Sequence, residues 1–243
     1  MKIFSCVSIL VMCMALVSVH ASTLTAAQSV WPPFIHDGKP PHGVIVDIVE
    51  EAFESQGYTM ELQIKPWSRA MKEVMRARTD ALIAVWYTDK RAEKLLFSDS
   101  YLDSKQVIIA AKEDQLTYTG LPSLSGLSVG TITDYAYDQA FLISTQFERV
   151  EGDSLEQSIR RLQTKRVDAI ISNERVAKYT LGSMKIDKNM YDFFSPSVSV
   201  NPLYIAIGLE NPRAYELIGA FNQGLAEIKA NGRYQEILRR HQE

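Results

Sequence analysis

Lys90 and Arg91 stand together in the run Trp86-Tyr87-Thr88-Asp89-Lys90-Arg91, where Thr88 or Asp89 is a good helix N-cap. Both cations then fall in the first turn of a short helix. That end already carries partial positive charge from its free N–H groups. Left in solvent, such cations cost roughly a few tenths of a kcal/mol. A bound anion would offset the cost, and the planar arginine fork matches a carboxylate. From this stretch alone both readings stay open: a solvated pair, or an anion site at the tip of a strand.

Other chemistry is scarce. The only cysteines, Cys6 and Cys13, lie in the first 21 residues. Beyond that segment there is no thiol, no disulfide and no cysteine metal site. The remaining histidines, His36, His42 and His241, show no metal-binding spacing, so neither a metal nor any other cofactor is expected.

The elements that must position Arg91 read clearly. Leu24 to Val30 is a first strand, followed by Trp31-Pro32-Pro33-Phe34, a stiff loop that can continue neither ladder nor helix. Ile45, Ile48, Val49, Ala52 and Phe53 recur at helical spacing, closed by Gly57. Met60, Leu62 and Ile64 alternate as a strand. Pro66 opens a second helix with Trp67, Ala70, Met71, Val74 and Met75 on one face, and Asp80 to Val85 is a buried strand. This β-α-β-α-β order implies a parallel sheet covered by helices. Later strands are expected at Gln106–Ala111, Leu127–Thr131, Val167–Ile171 and Leu203–Ile207. Helices are expected from about Asp134, from the Ser154-Leu155-Glu156-Gln157 capping box, and from Asn211-Pro212 to Asn231-Gly232, followed by a short terminal helix.

Composition bounds the rest. The chain has 243 residues, 46% hydrophobic and 23% charged, with net charge −3 and no basic block. That is globular and argues against a nucleic-acid partner. Lys2, the apolar run Ile3 to Val19 and Val19-His20-Ala21 read as a secretory signal peptide cleaved after Ala21. Met12 before Cys13 does not fit a lipid-anchoring box. Cleavage removes one lysine and no acid, leaving 25 basic and 29 acidic side chains and a net charge of −4. Export without disulfides points to a Gram-negative periplasm.

Arg78-Thr79-Asp80-Ala81-Leu82-Ile83 is echoed 88 residues later by Arg166-Val167-Asp168-Ala169-Ile170-Ile171. Both follow a helix and begin a buried strand, which suggests two similar α/β units. On this reading the strands at 80–85 and 167–171 lie in separate sheets.

Taken together, Gly43 with Asp47, the Asp80-Ala81 strand, Thr88-Asp89-Lys90-Arg91, Phe97-Ser98-Asp99-Ser100-Tyr101 and the stretch from Leu225 to Tyr234 resemble the family 3 extracellular solute-binding proteins. Pro66-Trp67-Ser68-Arg69-Ala70 and Tyr135-Ala136-Tyr137 resemble a proteobacterial branch of that family. The resemblance runs from Ser22 nearly to the end. It implies a two-lobed, type II periplasmic-binding-protein-like α/β fold, with a central sheet flanked by helices in each lobe and two crossing strands between them. Lobe 1 would take 22–103 and 199–243, and lobe 2 would take 104–198.

The resemblance also assigns roles. Arg91 would clamp a ligand carboxylate. Trp31 and Trp67 would sandwich the ligand. Phe34, Arg69 and Trp86 would border the cleft. Tyr135, Tyr137 and the loop around Asp134 would meet the ligand from lobe 2, and Asn173 stands where the family places the acid that receives an α-ammonium. Family members that bind basic amino acids carry an acid where this chain has Ile45. Ala84 and Trp86 stand where small or hydroxyl residues often line the family's pocket, and Ala136 stands where a hydroxyl is common. The ligand expected is a small carboxylate with an apolar or aromatic body, with neutral amino acids second and basic ones last. A monomer delivering it to an inner-membrane ABC permease is the leading expectation. The alternatives are a cyclohexadienyl-dehydratase-like enzyme on the same fold, or a ligand-sensing module for a membrane receptor. The cleft positions are mainly aromatic, with Asp134 and Glu174 the nearby carboxylates, so no catalytic residue is assigned.

Overall fold

The computed structural model describes residues 22–133, 135 and 137–241. The expected signal peptide lies outside these residues, as do Asp134 and Ala136. The first half runs β1 (Ser22–Gln28), α1 (Val44–Glu54), β2 (Tyr58–Ile64), α2 (Trp67–Met75), β3 (Ala81–Trp86), α3 (Asp89–Ala92) and β4 (Leu95–Phe97). β1 pairs in parallel with β2 and β3. The α1 stripe supplies seven buried residues, Val44 to Phe53, to the sheet face.

The second half follows β5 (Leu102–Ala111) with β6 (Ser128–Ile132), α4 (Gln139–Ile143), β7 (Glu148–Gly152), α5 (Leu155–Gln163), β8 (Ala169–Asn173), α6 (Glu174–Ser183) and β9 (Tyr191–Phe193). The chain then returns through β10 (Ser199–Gly208) to α7 (Ala214–Ala230) and α8 (Arg233–Arg240). β6 pairs in parallel with β7 and β8, repeating the pattern of the first half.

The sequence echo has a physical counterpart. Asp80 Oδ2 accepts from the Thr25 main-chain N–H at 2.8 Å and its hydroxyl at 2.9 Å. Asp168 Oδ2 accepts from the Ser128 main-chain N–H at 2.8 Å and its hydroxyl at 2.7 Å. In each half the carboxylate ties the start of one strand to its parallel neighbour.

The expectation of two separate sheets is corrected. One hydrogen-bonded network runs β2-β1-β3-β10-β5-β8-β6-β7. β5 and β10 are long enough to pair with each other through Leu102–Gln106 and Ser199–Leu203 and then continue into opposite ends. β10 goes on to pair with β3 and β4, and β5 with β8 and β9. The crossing strands thus carry the ladder through both halves. What separates the halves is packing. Two buried clusters, around Phe53 with Phe221 and around Val74 with Leu82, flank the β1–β3 end. Two others, around Ile159 with Ile170 and around Phe141 with Ile171, flank the β6–β8 end.

Other boundaries shift for local reasons. The helix expected from about Asp134 begins at Gln139, where the Asp138 carboxylate accepts from Ala140 N at 2.8 Å. The α7 helix begins at Ala214 rather than Pro212, because Asn211 closes a turn onto Arg213 N and Ala214 N. Ser154 caps α5 as expected, while Gln157 reaches back to Asp153 N instead of Ser154 N. Among the described residues, no helix is long and apolar enough to cross a membrane, and no group of three or more His, Cys, Asp or Glu could hold a metal.

Candidate functional site

β3 ends at Trp86, and the short α3 turns the chain back over it. Thr88 caps α3, its hydroxyl accepting from Arg91 N at 3.2 Å. This places the Arg91 side chain beside the strand end, where Nη1 donates to the Trp86 main-chain oxygen at 2.7 Å. The guanidinium carbon also lies 5.5 Å from the centre of the Trp67 ring, within cation–π range. Burial pushes the Arg91 pKa down, but an arginine stays charged at any physiological pH. Among the described residues no carboxylate lies within ion-pair reach of it. The neighbouring Lys90 is exposed.

Trp31 reaches Trp86 from the loop between β1 and α1. Its loop is closed by reciprocal main-chain bonds between Trp31 and Ile35, both 2.9 Å. Gly43 makes that loop possible. It sits at φ 136°, and a Cβ there would lie 2.3 Å from the Phe34 oxygen. The Trp31 ring meets Trp86 edge-on, centroids 6.2 Å apart. Trp86 also meets Tyr135 edge-on at 6.5 Å. Trp86 therefore joins an aromatic from the β1–α1 loop to one from the β6–α4 loop. Its Nε1 is buried and has no hydrogen-bond partner among the described residues. Burial pushes the Tyr135 hydroxyl up to about 12, so it is protonated and neutral.

The structure thus gathers Trp31, Trp67, Trp86, Arg91 and Tyr135. It gives the other expected site residues different work. Phe34 is fully buried and its ring packs against Trp31, tilted, with centroids 4.4 Å apart. Tyr137 packs on Tyr135 and Phe141, and its oxygen accepts from Ile132 N at 2.8 Å, closing the end of β6. Burial pushes its hydroxyl to about 12 as well.

Arg69 does not join the cluster. Two residues along a helix point away from each other, so with Trp67 toward Arg91 the Arg69 side chain faces solvent and pairs with Glu73 at 2.9 Å. Asn173 is also committed elsewhere. Its Oδ1 accepts from Val176 N at 3.1 Å as the N-cap of α6, and its Nδ2 donates to Ser104 Oγ at 2.9 Å. It is 1% exposed. Ile45 is fully buried, a core residue of α1.

A cavity of about 600 Å³ opens beside the crossing strand, lined by Leu102, Asp103, Asn173, Glu174, Tyr179 and Tyr234 among others. Of the expected site residues it includes only Asn173. Next to it the His36 ring meets Tyr179 of α6 at 5.5 Å and stacks on His42 at 5.0 Å. Burial, then His42, push the His36 pKa down. These contacts had no sequence signal, because α6 itself has a short apolar stripe, with only Ala177, Thr180 and Leu181 buried.

A cation stacked on one indole and bordered by others is suited to hold a small carboxylate against flat apolar walls. Comparison with known proteins places the chain among relatives of one kind. The sequence profile of bacterial extracellular solute-binding proteins, family 3, matches residues 24–243. The arginine-binding periplasmic protein of Mannheimia haemolytica is 25% identical over 227 residues, covering 91% of each chain. Among solved structures, the second substrate-binding domain of a putative amino acid ABC transporter from Streptococcus pneumoniae superposes with a TM-score of 0.74 at 24% identity, over 90% of this chain and 99% of that one. An ancestral amino-acid-binding protein described as a precursor of cyclohexadienyl dehydratase superposes at 0.66 with 19% identity, over 91% and 96% of the two chains.

Proposed function

The chain belongs to the bacterial extracellular solute-binding proteins of family 3, and from that membership and the site geometry we propose that it captures a small carboxylate between two lobes. One observation carries the reading. The Arg91 guanidinium is half-buried, held by the Trp86 oxygen and stacked on Trp67, with no protein carboxylate within reach among the described residues. A buried cation of this kind is stabilised by an anionic ligand.

In this proposal lobe 1 is 22–103 with 199–243, and lobe 2 is 104–198. The four buried clusters support the division. Leu102 and Leu203 pack with the first half, while Val107 and Val198 pack with the second. A ligand touching both lobes favours a closed arrangement, and the contact of Trp86 with Tyr135, residues of the two proposed lobes, supports a site shared between them. The protein works as a monomer in the periplasm, after cleavage of residues 1–21, and passes its ligand to an inner-membrane ABC permease.

The relative from Mannheimia is named for arginine. This chain has a buried isoleucine at position 45 and an indole at position 86, and neither can neutralise a second cation. The proposed ligand is therefore a carboxylate with an apolar or aromatic body, ahead of neutral amino acids and then basic ones. A thermal-shift screen over organic acids and amino acids tests this order. Tightest binding of lysine or arginine would overturn it. The Mannheimia relative is described by what it binds, while the ancestral neighbour is described also as a precursor of cyclohexadienyl dehydratase. Incubation with prephenate and a product assay tests the dehydratase alternative.

A further inference from the structure

Trp86 carries more than a ring face. Its main-chain oxygen takes the Arg91 guanidinium at 2.7 Å. Its ring is gripped edge-on by Trp31 and Tyr135. Its Nε1 is buried with no acceptor among the described residues. An indole N–H can only donate, and a buried donor without an acceptor loses the bond it would have made to water. Such an orphan calls for an explanation. A ligand that supplies an acceptor oxygen provides one. Arg91 bonds the main-chain oxygen of the same residue that carries this indole, and we infer that one small molecule offers its carboxylate to Arg91 and a second oxygen to Nε1.

Asn173 sharpens this. An α-ammonium needs acceptors. The expected acceptor, Asn173, is 1% exposed and spends Oδ1 on Val176 N and Nδ2 on Ser104. Among the described residues the site thus has a donor without an acceptor, which an ammonium, having no lone pair, does not supply, and its expected ammonium acceptor is buried and already bonded. We propose that Trp86 Nε1 is the specificity-determining donor, and that the ligand bears a keto or hydroxyl oxygen next to its carboxylate instead of an ammonium. This deepens the carboxylate reading of the Arg91 site and rests on it.

The test uses four acids with one skeleton: phenylpyruvate, phenyllactate, 3-phenylpropionate and L-phenylalanine. Each is titrated calorimetrically into the full mature chain, into Trp86→Phe and into Arg91→Ala, after thermal melts confirm that the variants fold. In the parent protein the keto or hydroxy acid should bind about tenfold or more tighter than 3-phenylpropionate, the scale of one hydrogen bond. In Trp86→Phe that ratio should collapse to about one, whatever repacking does to the absolute affinities. A ratio that survives in Trp86→Phe, or L-phenylalanine binding as tightly as phenylpyruvate, overturns the proposal while leaving the carboxylate site intact. Failure of all four acids to bind, or affinities untouched by Arg91→Ala, overturns the proposal and the underlying site reading together.

Discussion

The Arg91 guanidinium donates through Nη1 to the main-chain oxygen of Trp86 at 2.7 Å, five residues back along the chain. This bond fixes a flexible side chain at the end of β3, and in the proposed function its other donors serve a ligand. It also predicts that lysine is a poor substitute. An ammonium is a point donor without the planar fork, and it cannot hold the Trp86 oxygen and both carboxylate oxygens in one plane. Arg91→Lys should keep its melting temperature within about 2 °C, since the site is half-exposed, and lose about tenfold or more in ligand affinity. Calorimetry on the variant checks both the retained fold and the lost affinity.

Asn173 should behave as a structural residue. It caps α6 through Val176 N and ties that helix to Ser104 of the crossing strand. Asn173→Ala should cost about 1–2 kcal/mol in urea unfolding, through loss of the cap and of a buried bond. The rank order of ligands should not change.

Glu50 gives a pH signature. Burial, with Glu54 and Asp47 nearby, pushes its carboxyl up to about 7. The folded state then holds a proton that the unfolded chain releases near 4.5, so stability falls as pH rises from about 4.5 through 7. Glu50→Gln should be stabilising by about 1 kcal/mol at pH 8, after allowance for solvent screening of a partly exposed group, and nearly neutral at pH 4. Thermal melts of both proteins across this range give the comparison.

Asp80 should show the opposite slope. Burial alone would raise its carboxyl, but bonds from the Thr25 main chain, Asn211 and the Thr25 hydroxyl outweigh burial and hold it below its usual value. Its stabilising effect is present above about pH 4, near the ordinary aspartate value, and is lost as pH falls through the lowered one. Asp80→Ala should cost about 2–3 kcal/mol at pH 7 by leaving buried donors unpaired, and the gap to the parent should shrink in acid. Urea unfolding at pH 7 and pH 3 measures it.

That aspartate also shows what was legible in the sequence. The Asp80 and Asp168 echo marked two like units because each carboxylate performs the same local task with Thr25 or Ser128. Strong periodicity placed α1, and Thr88 placed α3 and with it Arg91. Less local features did not show. β7 reads Glu-Arg-Val-Glu-Gly, a polar edge strand whose one buried residue is Gly152, so it lacked an apolar signal. The shared ladder depends on how far β5 and β10 extend, which pairing decides rather than composition. Arg69 sits two residues from Trp67 and so falls on the opposite side of α2. Asn173 occupies a motif position, but its side chain answers to the helix it caps.

The central claim is that Arg91 anchors a ligand carboxylate, and calorimetry of Arg91→Ala tests it most directly, using the tightest acid found in the thermal-shift screen. Removing the guanidinium leaves a buried carboxylate unpaired, which costs about 2–4 kcal/mol. The expected result is a loss of roughly thirtyfold to a thousandfold in affinity with an unchanged melting temperature in the absence of ligand. A folded Arg91→Ala protein that binds the same acid as tightly as the parent would contradict the account.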